Sequence, residues 1–169
     1  MKNIALIGMM GTMKTSVGKR LAEKLGMTFV DTDAVFEREE GASIKDTFAC
    51  KGEAYFRDCE TAVLATACSG NGCVISCGGG VPLKEENVGI LRRGAVVVLL
   101  TASPEKIYER TCGDDSRPLL CGGGPERVRL LCEQRRAAYE GAADLTVDTT
   151  SADPDAAADE IIARLKTYE

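Results

Sequence analysis

The sequence predicts an α/β fold: a single domain in which a central five-stranded parallel sheet lies between layers of helices. Three observations carry that expectation. Short apolar strand patterns alternate with helical patterns along 169 residues, which is the signature of a sheet built from βαβ units. The strand patterns are apolar and β-branched, as in strands covered on both faces. Each Gly-rich or charged interruption that could carry chemistry falls at the carboxyl end of a strand, where ligands gather in such sheets.

In chain order, residues 3–8, NIALIG, read as the first strand. KTSVGKRLAEKLG follows as a helix, with Val17, Leu21 and Leu25 at helical spacing and Gly26 as its stop. MTFVDTD is a second strand ending in carboxylates, and residues 33–69 read as several helices broken near Gly41 and Gly52. GCVISC is a third strand that runs into GGGVPLKEENVGILRRG, and GAVVVLLTAS is the most β-branched segment, followed by the helix PEKIYERT. Residues 112–125, CGDDSRPLLCGGGP, are rich in Gly, Asp, Ser and Pro between two helical patterns, so a functional lid is expected over about 111–124. PERVRLLCEQRRAAYEGA is a long helix and ADLTVDT the fifth strand. DPDAAADEIIARLKTY closes the chain, with Asp153 as N-cap and Pro154 at the first helical position.

Composition narrows the chemistry. The net charge of −5 disfavours a nucleic-acid partner, which would need clustered Lys and Arg, while a few arginines gathered in one pocket could still serve an acidic metabolite. No apolar run approaches the roughly 20 residues of a membrane span. The start MKNIALIG lacks the pattern of a secretory signal, so a cytoplasmic protein beginning here is expected. Eight cysteines form no Cys-x-x-Cys pair; we read them as small buried side chains. Histidine is absent, which removes the commonest general base and leaves proton transfer to a carboxylate.

Residues 8–16, GMMGTMKTS, sit between a strand and a helix, the context in which backbone N–H groups and a helix N-terminus can surround phosphate oxygens. Gly8, Lys14 and Thr15 fit the phosphate-loop pattern, with Lys14 reaching the phosphates and the Thr15 hydroxyl ligating Mg²⁺. Met13 occupies the place of the second glycine. Glycine suits that place because the backbone must curl around phosphate, where a positive φ costs other residues strain. The expectation is a negative φ at Met13, its side chain turned away and the N–H cradle intact.

Other stretches offer further candidates. Asp31 and Asp33 could hold a metal-bound water and accept a hydroxyl proton, or could simply cap a helix. In GEAYFRDCE, Arg57 stands beside Phe56 and three residues before Glu60, a placement equally suited to a surface ion pair. Gly78, Gly79 and Gly80 offer N–H groups without side-chain obstruction, or a flexible turn. Arg117 in the lid could stabilise a transferring phosphoryl group. Arg135 and Arg136 share one helical turn, so one could fork onto a carboxylate while the other faces solvent.

Taken in order, the strand–loop–helix unit, DTD, FRDCE, GGG, RPLL and RRAAY closely resemble shikimate kinase over nearly the whole chain, and so imply a three-layer P-loop kinase fold. The resemblance implies ATP-dependent phosphorylation of the 3-hydroxyl of shikimate, with ATP and Mg²⁺ as cofactors and a monomer as the default. Carried over by residue, Gly11, Thr12, Met13, Lys14, Thr15 and Ser16 match the phosphate loop, and Thr15 and Asp31 the metal side. Asp33 matches the carboxylate that holds the substrate hydroxyls. Arg57 and Arg135 match the arginines that grip the shikimate carboxylate, and Gly78, Gly79 and Gly80 the substrate turn. Arg117 matches the lid arginine and Arg110 the residue that stacks on adenine. Arg135 rather than Arg136 is the match because it lies four residues before Tyr139, as in the family's pattern. The helical region of about 33–69 is expected on the substrate side. A gluconate or nucleoside kinase, or a nucleotide-binding domain silenced by Met13, would share part of this pattern.

Overall fold

The computed structural model describes residues 2–112 and 123–168. Five strands, β1 (Asn3–Ile7), β2 (Thr28–Asp31), β3 (Cys73–Ser76), β4 (Ala95–Thr101) and β5 (Leu145–Asp148), form one sheet in the order β2-β3-β1-β4-β5. All four pairings are parallel. Each therefore needs a crossover, which the helices α1 (Lys14–Leu25), α2 (Thr32–Glu40), α3 (Ile44–Ser69), α4 (Glu85–Gly94), α5 (Pro104–Thr111), α6 (Gly124–Ala142) and α7 (Pro154–Tyr168) supply.

The period of two along β1 builds both halves of the core. Ile4 and Leu6 pack with Val74, Val98, Val17 and Leu21 of α1, and Ile161 of α7. Ala5 and Ile7 face the other way, onto Leu64 of α3, Leu91 of α4, Ile107 of α5 and Val128 of α6. A smaller aromatic cluster, Phe36 against Phe56 with ring centroids 5.0 Å apart, holds α2 on α3.

Local signals act where expected. Gly26 and Gly41 end α1 and α2 in the left-handed conformation, and Asp153 caps α7. Gly52 breaks α3 with φ 84°. Three readings need correction. The edge strands β2 and β5 are not covered on both faces: each is exposed or half-buried at all but one or none of its four positions, because an edge lacks a neighbour on one side. GGGVPLKEENVGILRRG also carries a 3-10 turn at Val81–Leu83 and helix α4, which the sequence hardly signals because only Asn87 and Leu91 of α4 are buried. The cysteines are only partly core residues: among the described residues Cys68 and Cys77 are buried, while Cys50 and Cys112 are exposed, and none is in a disulfide.

Candidate active site

Sheet register brings three loops together. β3 pairs with both β1 and β2, so Leu6, Ser76 and Asp31 lie level, and the segments leaving β1, β3 and β2 are neighbours at the carboxyl edge. The β1 exit is also the point where the strand order reverses, the usual place for a ligand crevice.

The segment after β1 curls through left-handed or extended-positive backbone at Gly8 (φ 143°), Gly11 (φ 81°) and Met13 (φ 65°). A Cβ on Gly8 would lie 2.3 Å from the Leu100 carbonyl oxygen, and one on Gly11 2.8 Å from the Thr111 side chain. Inside the curl the Lys14 ammonium donates to the carbonyls of Gly8 (2.8 Å) and Met9 (2.9 Å), and the Thr12 hydroxyl donates to the Met9 carbonyl. Outside it, the Arg110 guanidinium donates to the Gly11 carbonyl at 3.0 Å and to the Thr149 carbonyl at 2.7 Å. The loop leads directly into α1, whose first-turn N–H groups, including those of Thr15 and Ser16, emerge at this end.

The expected negative φ at Met13 is wrong. Met13 is the N-cap of α1 and the one non-glycine residue with positive φ among the described residues. Its carbonyl accepts from Val17 N–H at 2.8 Å, the first bond of the helix, but the other N-caps Ser43 and Ser103 make that bond in extended backbone, so the left-handed turn at Met13 belongs to the curl of this loop. The side chain does turn away from the curl, packing against the core layer of α1 and α7. That contact offsets part of a strain of about 1–2 kcal/mol for an L-residue in this conformation.

Asp31 does two jobs with its two oxygens. One accepts from the N–H groups of Asp33 and Ala34, capping α2, and the other accepts from the Thr15 hydroxyl at 2.8 Å. The capping and the metal-side readings are thus compatible. Asp33, one residue inside α2, has its pKa pushed up to about 6, chiefly by burial and then by the Asp31 and Glu60 carboxylates, against the pull of Lys14.

Two of the three glycines after β3, Gly78 and Gly80, are crowded by side chains. A Cβ on Gly78 would lie 2.8 Å from both Asp33 Oδ1 and Glu60 Oε1, and one on Gly80 would lie 2.1 Å from Arg57 Nη1. No left-handed backbone is involved at any of the three. Thr32 ties this turn to β2, its hydroxyl donating to the Ser76 carbonyl and accepting from Gly78 N–H. Arg57 donates to Glu60 at 2.9 Å, and Glu60 is buried, its carboxyl raised by burial and lowered by Arg57. On the far side of the turn stands Arg135, 9% exposed, with Nη1 3.7 Å from the Cβ position of Gly79. Arg136 is exposed.

Two arginines, a high-pKa carboxylate and a phosphate-loop curl therefore share one crevice. The profile of the shikimate kinase family matches residues 10–166. The chain belongs to the shikimate kinase family. It is 41% identical over 166 residues to a shikimate kinase of Persephonella marina, covering 98% of this chain and 100% of that one. It is 44% identical over 170 residues to that of Thermodesulfovibrio yellowstonii, covering 100% and 96%. In shape it superposes on the shikimate kinase from Acinetobacter baumannii in complex with shikimate with a TM-score of 0.95 at 35% identity, covering 100% of this chain and 95% of the other. Like the family, it is an ATP-dependent phosphotransferase acting on an alcohol group.

Of the residues that the resemblance nominated, Gly11, Thr12, Met13, Lys14, Thr15, Ser16 and Arg110 lie in or on the curl, and Asp31 touches Thr15. Asp33, Arg57, Arg135, Gly78, Gly79 and Gly80 surround the adjoining turn. Arg117 and most of the expected lid lie outside the described residues, and Thr111 belongs to α5. Sequence reasoning assigned no part to Thr32 or Met9, nor to Glu60, although its spacing of three from Arg57 on a helix was a usable signal. The Thr15 hydroxyl beside the Asp31 carboxylate is a hard-oxygen pair that suits Mg²⁺, an ion that keeps waters and substrate phosphates as its other ligands.

Proposed function

We infer that the chain transfers the γ-phosphoryl group of ATP to the 3-hydroxyl of shikimate, giving shikimate 3-phosphate and ADP. The observation that carries this reading is the placement of Arg57, Arg135 and Asp33 around one glycine turn beside the phosphate loop. An anionic ring acid fits a pocket with two guanidinium groups, whereas a neutral polyol would forgo both charge-assisted pairs. Arg57 and Arg135 hold the carboxylate, and Asp33 orients the acceptor hydroxyl and receives its proton.

Lys14 and the first-turn N–H groups of α1 hold the phosphates, with Arg110 beside the adenine and Arg117 closing from a lid over about 111–124. Thr15 and Asp31 would hold Mg²⁺, which supplies charge neutralisation on the phosphoryl oxygens when bound. We propose a monomer working in the cytoplasm, where ATP is at hand. Among the described residues no helix is long and apolar enough to cross a membrane.

Met13 favours a second reading, in which nucleotide binds without turnover because the curl is strained. Coupled ADP release, measured with shikimate, with gluconate and with neither, decides between them. The account expects release that depends on shikimate, with ³¹P NMR placing the new ester on the 3-oxygen. Binding of ATP and shikimate by calorimetry with no ADP release would establish the second reading, and release with gluconate alone would overturn the substrate.

A further inference from the structure

Five groups from three elements meet at one point behind the acceptor turn. Tyr139, one helical turn after Arg135, is 4% exposed and packs its ring into the core beneath α6. Its hydroxyl donates to the Gly79 carbonyl at 2.7 Å and lies 3.5 Å from Met9 Sδ. Arg135 Nη1 stands 4.0 Å from the same sulfur. The Cβ position of Gly79 is 3.7 Å from Arg135 Nη1, 3.8 Å from the Gly8 carbonyl oxygen and 3.8 Å from the Tyr139 hydroxyl. The acceptor turn, the guanidinium and the phosphate loop thus touch through one phenol and one thioether.

We propose that Tyr139 is a positioning residue for the acceptor acid: its hydroxyl, donating to Gly79 and standing beside Arg135 over the same glycine, fixes that guanidinium against the turn. Met9 carries the same register into the phosphate loop through its sulfur. The assignment rests on the reading of Arg135 as a carboxylate ligand.

The chemistry favours this joint. An arginine is a long side chain whose rotamer freedom costs affinity unless something restrains it before substrate arrives. Thioether sulfur is a weak, polarisable acceptor that steers a guanidinium without forming an ion pair. Among the described residues no carboxylate forms a salt bridge with Arg135, which Glu60 reaches only through space, in contrast to Arg57, which Glu60 and Glu53 hold. A neutral brace leaves the Arg135 charge available to an incoming anion. Burial raises the phenol pKa and the neighbouring Arg135 lowers it, the burial being the larger effect, so the hydroxyl keeps the proton that it donates to Gly79.

The test is Tyr139→Phe, which keeps the packed ring and removes only the hydroxyl. The shikimate KM should rise about tenfold, the scale of one lost hydrogen bond that leaves the Gly79 carbonyl unsatisfied, while the ATP KM stays unchanged. The affinity ratio between shikimate and its methyl ester should also shrink in the variant, because a loosened Arg135 discriminates less between a carboxylate and an ester. A merely structural role would lower Tm without changing that ratio. A normal shikimate KM, or equal rises in both KM values, would overturn the proposal.

Arg135→Ala run alongside separates the claims. A normal shikimate KM there overturns the carboxylate reading and this proposal with it. A raised KM there with a normal one in Tyr139→Phe overturns the proposal alone. Met9→Leu, which conserves volume and removes the sulfur, gives a check that does not touch Tyr139: a rise of about two- to threefold in shikimate KM alone is expected, and no rise contradicts the link to the loop.

Discussion

The phosphate loop and the triple-glycine turn are both glycine-rich and lie side by side, yet they need glycine for different reasons. In the phosphate loop the demand is conformational, with Gly8, Gly11 and Met13 all at positive φ, and at Gly8 and Gly11 it is spatial as well. In the turn the demand is spatial, since none of Gly78, Gly79 and Gly80 has positive φ, and Gly78 and Gly80 make room for two carboxylates and a guanidinium. A conformational demand can be met at a cost by another residue whose side chain finds an apolar berth, as Met13 does. A spatial demand set by a functional group cannot, because any Cβ displaces that group.

The largest expected effect lies where the turn meets Asp33, the proposed base. Asp33→Asn should lower kcat by about 10²–10⁴, the usual scale for a lost general base. Stability should move the other way. The folded pKa of Asp33 is raised to about 6, so between its unfolded value and about 6 the folded state binds more protons, and stability falls as pH rises through that window. Removing the charge should therefore stabilise the protein at pH 7, by roughly 1–3 kcal/mol. Thermal melts at pH 5 and pH 7 check this, since the gain should be smaller at pH 5. The same group predicts that kcat/KM for shikimate falls as pH drops through about 6. A flat profile from pH 5 to 8 would remove Asp33 from the base role.

Next comes Gly80→Ala. The added Cβ would stand 2.1 Å from Arg57 Nη1, so the guanidinium must leave its place. Shikimate KM should rise about 10- to 100-fold, the scale of one charge-assisted pair, with ATP KM unchanged. The smallest effect is expected at Met13→Gly. Release of strain should lower ATP KM about threefold, less than the full penalty for a left-handed L-residue because the methionine side chain loses its packing.

Much of this was legible in the sequence, and the unread part has a physical pattern. The alternation of strand and helix, Gly26, Gly41, Gly52 and Asp153 are local signals, and the structure follows them. The family's spacing to Tyr139 singled out Arg135 over Arg136, and it is the buried one of the two. The conformation of Met13 was not legible, because the curl of the loop after β1 sets it and the residue type argues against it. The joining roles of Thr32, Glu60 and Tyr139 depend on which strand ends are neighbours, and that follows from the order β2-β3-β1 rather than from any run of residues.

The difference between the two loops is tested most directly by measuring both KM values in Met13→Gly and Gly80→Ala, side by side. The account predicts a crossed result: Met13→Gly lowers the ATP KM alone, and Gly80→Ala raises the shikimate KM alone. If each substitution moved both KM values in the same proportion, the two loops would be one strained unit, and the separation of conformational from spatial demand would fail.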